Sequence, residues 1–190
     1  AAEDFGDAVA WGRGIRELVH GAGIDCFAAL RKRLLCVHHK GMEFNSHMQA
    51  ALAQARAAGA RGEVPVGAVI VDAQGQVIAA EGNRTREYCD PTAHAEILAI
   101  RAACAAAGSE RLGGHALYVT LEPCPMCAAA IAAARIERLY YAASDPKSGG
   151  VAQGARVFSH AQCHHVPEVY DGIAAQEAES LLKAFFASLR

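Results

Sequence analysis

Two short stretches, His94-Ala95-Glu96 and Pro123-Cys124-Pro125-Met126-Cys127, constrain this chain more than anything else in it. One imidazole and two thiols make a three-ligand set for a tetrahedral divalent zinc; a purely structural site would add a fourth Cys or His. Three protein ligands leave a coordination position for water, and zinc lowers the pKa of such a water to roughly 7. Glu96, close to His94 in the chain, is placed to handle that water's protons. The set also restricts the fold. His94 and the Cys124/Cys127 pair each read as the first turn of a helix that follows a loop or strand. There, unpaired N–H groups and the helix dipole favour thiolates and developing negative charge. Two helix N-termini must then converge on one ion. Taken singly the parts are ambiguous, since Cys-x-x-Cys also serves as a redox dithiol and a lone helical His is usually structural. Together with Glu96 they argue for catalysis.

Around these stretches the pattern is that of one α/β domain. Ser46 and Gln49 have capping-box spacing, followed by a Met48, Leu52, Ala55 stripe with Gly59 as the stop. The β-branched run 64–72, the turn residues Ala73-Gln74-Gly75 and a second run 77–80 predict a hairpin. A polar loop over 83–92 leads into a helix over 93–107, closed by Gly108. Strands are expected at 116–120 and 139–142, with an alanine-rich helix to about residue 134 between them. A glycine-rich loop over 145–154, a short edge strand at 156–158 and an amphipathic helix over 174–189 complete the pattern. Strands alternating with helices imply a sheet covered on both faces.

At 190 residues and 20% charge, the chain has the size and balance of a packed domain rather than a disordered one. Its formal net charge of −2 gives no global sign of nucleic-acid binding, although a local basic face needs only part of the surface. Beyond the Cys124/Cys127 pair, Cys26, Cys36, Cys89, Cys104 and Cys163 are scattered, without disulfide-framework spacing. A reducing, cytoplasmic location is the expectation. No apolar run approaches the roughly 18 residues that span a bilayer, and Glu17, His20 and Asp25 interrupt any signal-peptide core. Residues 1–41 carry broken periodicity and the basic cluster Arg31-Lys32-Arg33. They are expected to be a disordered or non-native extension, with Met42 as the start of a 42–190 catalytic domain.

The motif His94-x-Glu96 with Pro123-Cys124-x-x-Cys127 resembles the signature of the zinc-dependent cytidine/deoxycytidylate deaminase superfamily. The stretches 63–69, 90–97, 117–124 and Asp145-Pro146-Lys147 extend the likeness to the bacterial tRNA-specific adenosine deaminases, over residues 42–190. The resemblance implies a three-layer α/β/α cytidine deaminase-like fold, with a mixed central sheet. It implies one Zn2+ per subunit on His94, Cys124 and Cys127, and Glu96 as acid and base. It further implies hydrolytic deamination of adenosine to inosine at the wobble position of a tRNA anticodon, that of an arginine tRNA, by a homodimer that binds the anticodon stem-loop. Asn83 matches the asparagine that hydrogen-bonds the purine. Val66, Ala95 and Leu121 match other substrate positions, Asp145 and Lys147 the anticodon-facing loop, and Phe185 and Phe186 an aromatic pair on the last helix.

Two other functions use the same metal ligands. A deaminase of free guanine or cytosine would share the zinc chemistry, and Asn83, the Asp145 loop and the Phe pair weigh against it. A non-catalytic zinc-stabilised RNA-binding module would have no use for Glu96. Cys163-His164-His165 and His38-His39 look like metal tracts, but a structural or surface role is expected. Arg84, Arg86, Arg111, Arg135, Arg138 and Arg156 are candidates for phosphate contacts.

Overall fold

The computed structural model describes residues 47–189. The readings for residues 1–41, Met42, His38-His39, Cys26 and Cys36 lie outside the described residues, as does Ser46 of the capping box. Helices α1 (Met48–Ala60), α2 (Ala95–Ala107), α3 (Pro125–Ala133) and α4 (Ala175–Ser188) surround five strands. These are β1 (Gly67–Val71), β2 (Val77–Gly82), β3 (Ala116–Leu121), β4 (Arg138–Ala143) and β5 (Glu168–Tyr170). They lie in the order β2-β1-β3-β4-β5. β1 runs antiparallel to both β2 and β3, whereas β3–β4 and β4–β5 are parallel, so the sheet is mixed.

The alternation of side chains along the strands explains the three layers. Ala68, Ile70, Leu117, Val119, Leu139 and Tyr141 point to the side that also buries Ala99, Ala103 and Ile131 of α2 and α3. Val69, Val71, Tyr118, Tyr140 and Ala142 point the other way, onto Met48, Ala51 and Leu52 of α1 and Ala178 of α4. Both faces of β1 are thus buried, which its continuous apolar sequence requires. Across β3, β4 and β5 the residues Tyr118, Tyr140 and Tyr170 stack, with ring centroids 4.5 and 4.8 Å apart.

Most predicted elements are present, with shifted ends. α1 runs through Gly59, which packs against Pro65, and the chain reverses at Gly62, where φ is +82°. Gln49 donates to Glu177 of α4. The hairpin turn is held by Asp72, whose Oδ1 accepts from the N–H groups of Gln74 and Gln76. Gly108 adopts the left-handed conformation expected of a helix stop. The edge strand expected at 156–158 is absent. Arg156 sits at φ +44° and Val157–Ser159 form a 3₁₀ turn, which cannot continue a ladder. The fifth strand is instead Glu168–Tyr170, paired in parallel with Arg138–Tyr140. Among the described residues no helix is long and apolar enough to cross a membrane.

Candidate active site

The parallel step from β3 to β4 and the helices α2 and α3 bring the two sequence stretches together. His94 and Cys124 are the residues that cap α2 and α3, both in extended conformation, rather than members of the first turns. Pro125 follows at the first helical position of α3, where a missing N–H costs nothing. Cys127 lies one turn on and is buried. His94 Nδ1 is 3.7 Å from Cys124 Sγ and 3.6 Å from Cys127 Sγ. Zinc bonds of about 2.3 Å to sulfur and about 2.05 Å to nitrogen, at the tetrahedral angle, place S and N about 3.6 Å apart. The three ligand atoms lie within 4.8 Å of one another, the one such grouping of potential ligands among the described residues. Both nitrogen–sulfur separations are those of ligands to one zinc ion, so the residues fit it.

Electrostatics agree with that fit. A hydrogen bond from the Cys127 thiol, helped by His94, lowers Cys124 to about 4 against the opposing effect of burial. The same bond and burial push Cys127 up. The hydrogen bond to Cys124 raises His94, outweighing its desolvation. The trio therefore shares protons that a divalent cation would displace, and metal binding would release them. Glu96, on the first turn of α2, is 3% exposed and its Oε2 is buried without a hydrogen-bond partner. Burial pushes its carboxyl up, opposed by its own N–H, His94 and Cys127. A buried carboxylate oxygen without a protein partner is poised for a water or substrate hydrogen.

Asn83, buried at the end of β2, is locked on three sides. Its N–H donates to Val66 O at 3.1 Å, its carbonyl accepts from Arg61 Nη2 at 3.2 Å, and its Oδ1 accepts from the N–H of Ala95 at 2.9 Å. That last bond satisfies one of the open donors at the start of α2 and fixes the amide orientation, leaving Nδ2 to donate elsewhere. Val66 and Ala95 are therefore hydrogen-bonded directly to Asn83. Leu121 is half-buried at the end of β3, just before the Cys124 turn. Thr120 accepts the Gly67 N–H at 3.1 Å and ties the start of β1 to the same place.

Two buried carboxylates within the stretches 63–69 and 117–124, Glu63 and Glu122, brace the flanking loops. Glu63 accepts from Thr85 Oγ1 and from the N–H groups of Arg86 and Glu87. Glu122 accepts from Ser144, Asp145 and the amides of 151–153. Burial works against the charge of both, and these bonds outweigh it, holding both carboxyls below the usual range. An acidic residue inside an apolar run, as in Val119-Thr120-Leu121-Glu122-Pro123, was the available signal.

Not every candidate joins this cluster. Asp145 reaches it through Glu122, and Lys147 through its N–H to Asp145 Oδ1. Phe185 and Phe186 form an edge-to-face pair on α4, and Phe186 is 49% exposed. That helix packs on the sheet face opposite α2 and α3. Cys163-His164-His165 forms a turn: Cys163 bonds His165 O, His165 bonds Ile136 O, and His164 O accepts from Arg135. The six arginines all have intramolecular partners. Arg84 pairs with Glu87, Arg86 with Gly62 O, Arg111 with Glu110, Arg138 with Glu137 and Arg156 with Ala152 O.

Comparison with known proteins agrees with this geometry. Residues 42–143 match the model of the cytidine and deoxycytidylate deaminase zinc-binding region. The tRNA-specific adenosine deaminase of Agrobacterium fabrum (strain C58 / ATCC 33970) is 60% identical over 143 residues, covering 75% of this chain and 93% of that protein. A solved structure from biochemical and structural studies of A-to-I editing by tRNA:A34 deaminases at the wobble position of transfer RNA is 61% identical. It aligns with a TM-score of 0.70 over 71% of this chain and 97% of its own. The guanine deaminase of Bacillus subtilis aligns less fully, at 41% identity and a TM-score of 0.51 over 54% of this chain and 66% of its own. The zinc ligands, the fold and these relatives together place the chain in the cytidine and deoxycytidylate deaminase zinc-binding family, among its tRNA-specific adenosine deaminases.

Proposed function

We propose that this chain deaminates adenosine to inosine at the wobble position of a tRNA anticodon, that of an arginine tRNA. The observation that carries the reading is a three-ligand metal site with a buried, unpartnered Glu96 oxygen beside it. The identity to tRNA-specific deaminases over most of both chains supports the choice of substrate. The reaction scheme is the one general to zinc nucleobase deaminases. His94, Cys124 and Cys127 would hold the Zn2+, which when bound supplies Lewis-acid chemistry and acidifies water toward neutral pH.

The remaining work falls to side chains of this protein. Glu96 takes a proton from the attacking water at Oε2 and hands it to a ring nitrogen. It then takes up the proton of the hydroxyl now on C6 and delivers it to the amino group, which leaves C6 as ammonia while the carbonyl of inosine forms there. Its upward-pushed carboxyl suits both directions of transfer. Asn83 donates from Nδ2 to the purine, and Val66, Ala95 and Leu121 shape the wall around it. Asp145 and Lys147 contact the anticodon, and the exposed Phe186 with Phe185 extends the contact to the stem-loop. A homodimer in the cytoplasm completes the reading, with residues 42–190 as the catalytic domain and 1–41 outside it.

The likeness to guanine deaminase gives a second reading, a free-base deaminase, with the same metal chemistry. A side-by-side assay decides between them. Inosine in an anticodon stem-loop without ammonia release from guanine or cytosine supports the tRNA reading; the reverse pattern overturns it.

A further inference from the structure

Glu122 is 2% exposed and follows β3, between the sheet and the Cys124 turn. Its carboxylate accepts from two separate parts of the chain. Oε2 takes Ser144 Oγ at 3.1 Å and the Asp145 N–H at 3.0 Å. Oε1 takes the N–H groups of Val151, Ala152 and Gln153 at 3.2, 2.9 and 2.9 Å. Both ends of the loop that carries Asp145 and Lys147 are thus gathered on one side chain.

The enclosed loop is also pressed against the ligand-bearing turn. A Cβ on Gly149 would lie 2.6 Å from the Glu122 carboxyl carbon, and one on Gly150 would lie 2.5 Å from Pro125 N and 2.8 Å from the Cys124 carbonyl carbon. Gly150 N–H donates to Pro123 O at 2.8 Å. That bond ties the residue just before Val151 to the ligand turn without using Glu122. The carboxylate therefore governs the loop's two ends, while the ligand turn keeps its own support.

We propose that Glu122 is a positioning residue for RNA recognition, fixing Asp145 and Lys147 relative to the Cys124 turn so that the RNA backbone and the target base are held in one register. This rests on the tRNA reading above. Glutamine in its place has one acceptor oxygen. Either the Asp145 N–H or the three amides of 151–153 then face an amide NH2 instead of a carboxylate.

The test is Glu122→Gln, assayed for inosine formation in an anticodon stem-loop, with zinc content measured alongside. The expected result is a KM raised about tenfold, the scale of losing hydrogen bonds to a charged group. kcat should stay within about threefold of wild type and zinc at wild-type content. A merely structural role would lower kcat and zinc content together, and that outcome, or an unchanged KM, overturns the inference. If Glu122→Gln does not fold, Ser144→Ala decides, because it removes only the bond from Ser144 Oγ. It should raise KM about threefold with kcat held, and an unchanged KM overturns the inference there too. Wild-type protein that forms no inosine refutes the tRNA reading itself, and this inference with it. Wild-type activity with an unmoved variant KM refutes this inference alone.

Discussion

Replacing Asn83 separates two jobs that one side chain performs. Its Oδ1 accepts the Ala95 N–H at 2.9 Å, next to both His94 and Glu96, and its Nδ2 is proposed to donate to the purine. Asn83→Asp keeps an acceptor for Ala95 and places a negative charge at a helix N-terminus, where the dipole favours it. It loses the donor. Leaving a substrate acceptor unpaired costs about 1–3 kcal/mol, or roughly 5- to 160-fold in kcat/KM. Asn83→Ala loses both groups and strands a buried N–H. It should lose about 1–2 kcal/mol of stability in addition, lowering Tm by roughly 3–8 °C for a domain of this size. Melting curves, zinc content and stem-loop kinetics on the two variants read these effects separately. An Asp variant with wild-type kcat/KM, or an Ala variant as stable as wild type, would refute the reasoning.

Further predictions concern the metal, the carboxylates and pH. Glu96→Ala should keep zinc and lose about 10²- to 10⁴-fold in kcat; unchanged turnover would remove Glu96 from the mechanism. Cys127→Ser should lower zinc retained after dialysis and abolish activity, and chelation should lower the Tm of wild type, because an ion bound to the folded state stabilises it. Full zinc occupancy in that variant would take Cys127 out of the ligand set. Glu63 is held below its ordinary value of 4.5 when folded, since hydrogen bonds from the Glu87 and Arg86 amides and Thr85 outweigh its desolvation. Its contribution is present above that value and is lost as pH falls through the lower, folded-state pKa. Acid titration of stability should therefore be shallower for Glu63→Gln than for wild type, and identical slopes would show that the brace adds nothing.

How much of this was legible in the sequence depended on how local each signal was. His94, Glu96, Cys124 and Cys127 were readable because a metal demands particular atoms at short spacing. Gly108 was readable because it ends a helix. The end of α1 was misread at Gly59 because glycine also serves close packing, here against Pro65, and the turn itself needed Gly62. β5 gave no signal: three exposed edge residues behind Pro167 show no alternation, and only pairing with β4 makes them a strand. The partners of the loop braces were hidden for a related reason. Glu63 and Glu122 act on residues more than twenty positions away, and a lone acidic residue does not announce its acceptors. The arginines illustrate the converse, since their commitments to Glu87, Gly62, Glu110, His164, Glu137 and Ala152 are set by folding.

The most direct measurement is mass analysis of an arginine tRNA anticodon stem-loop after incubation with the protein, run untreated, after chelation, and after zinc is restored. Conversion of the wobble adenosine to inosine that vanishes on chelation and returns with zinc is the predicted result. An unmodified wobble adenosine under the zinc-loaded condition, or conversion indifferent to the chelator, would contradict the account.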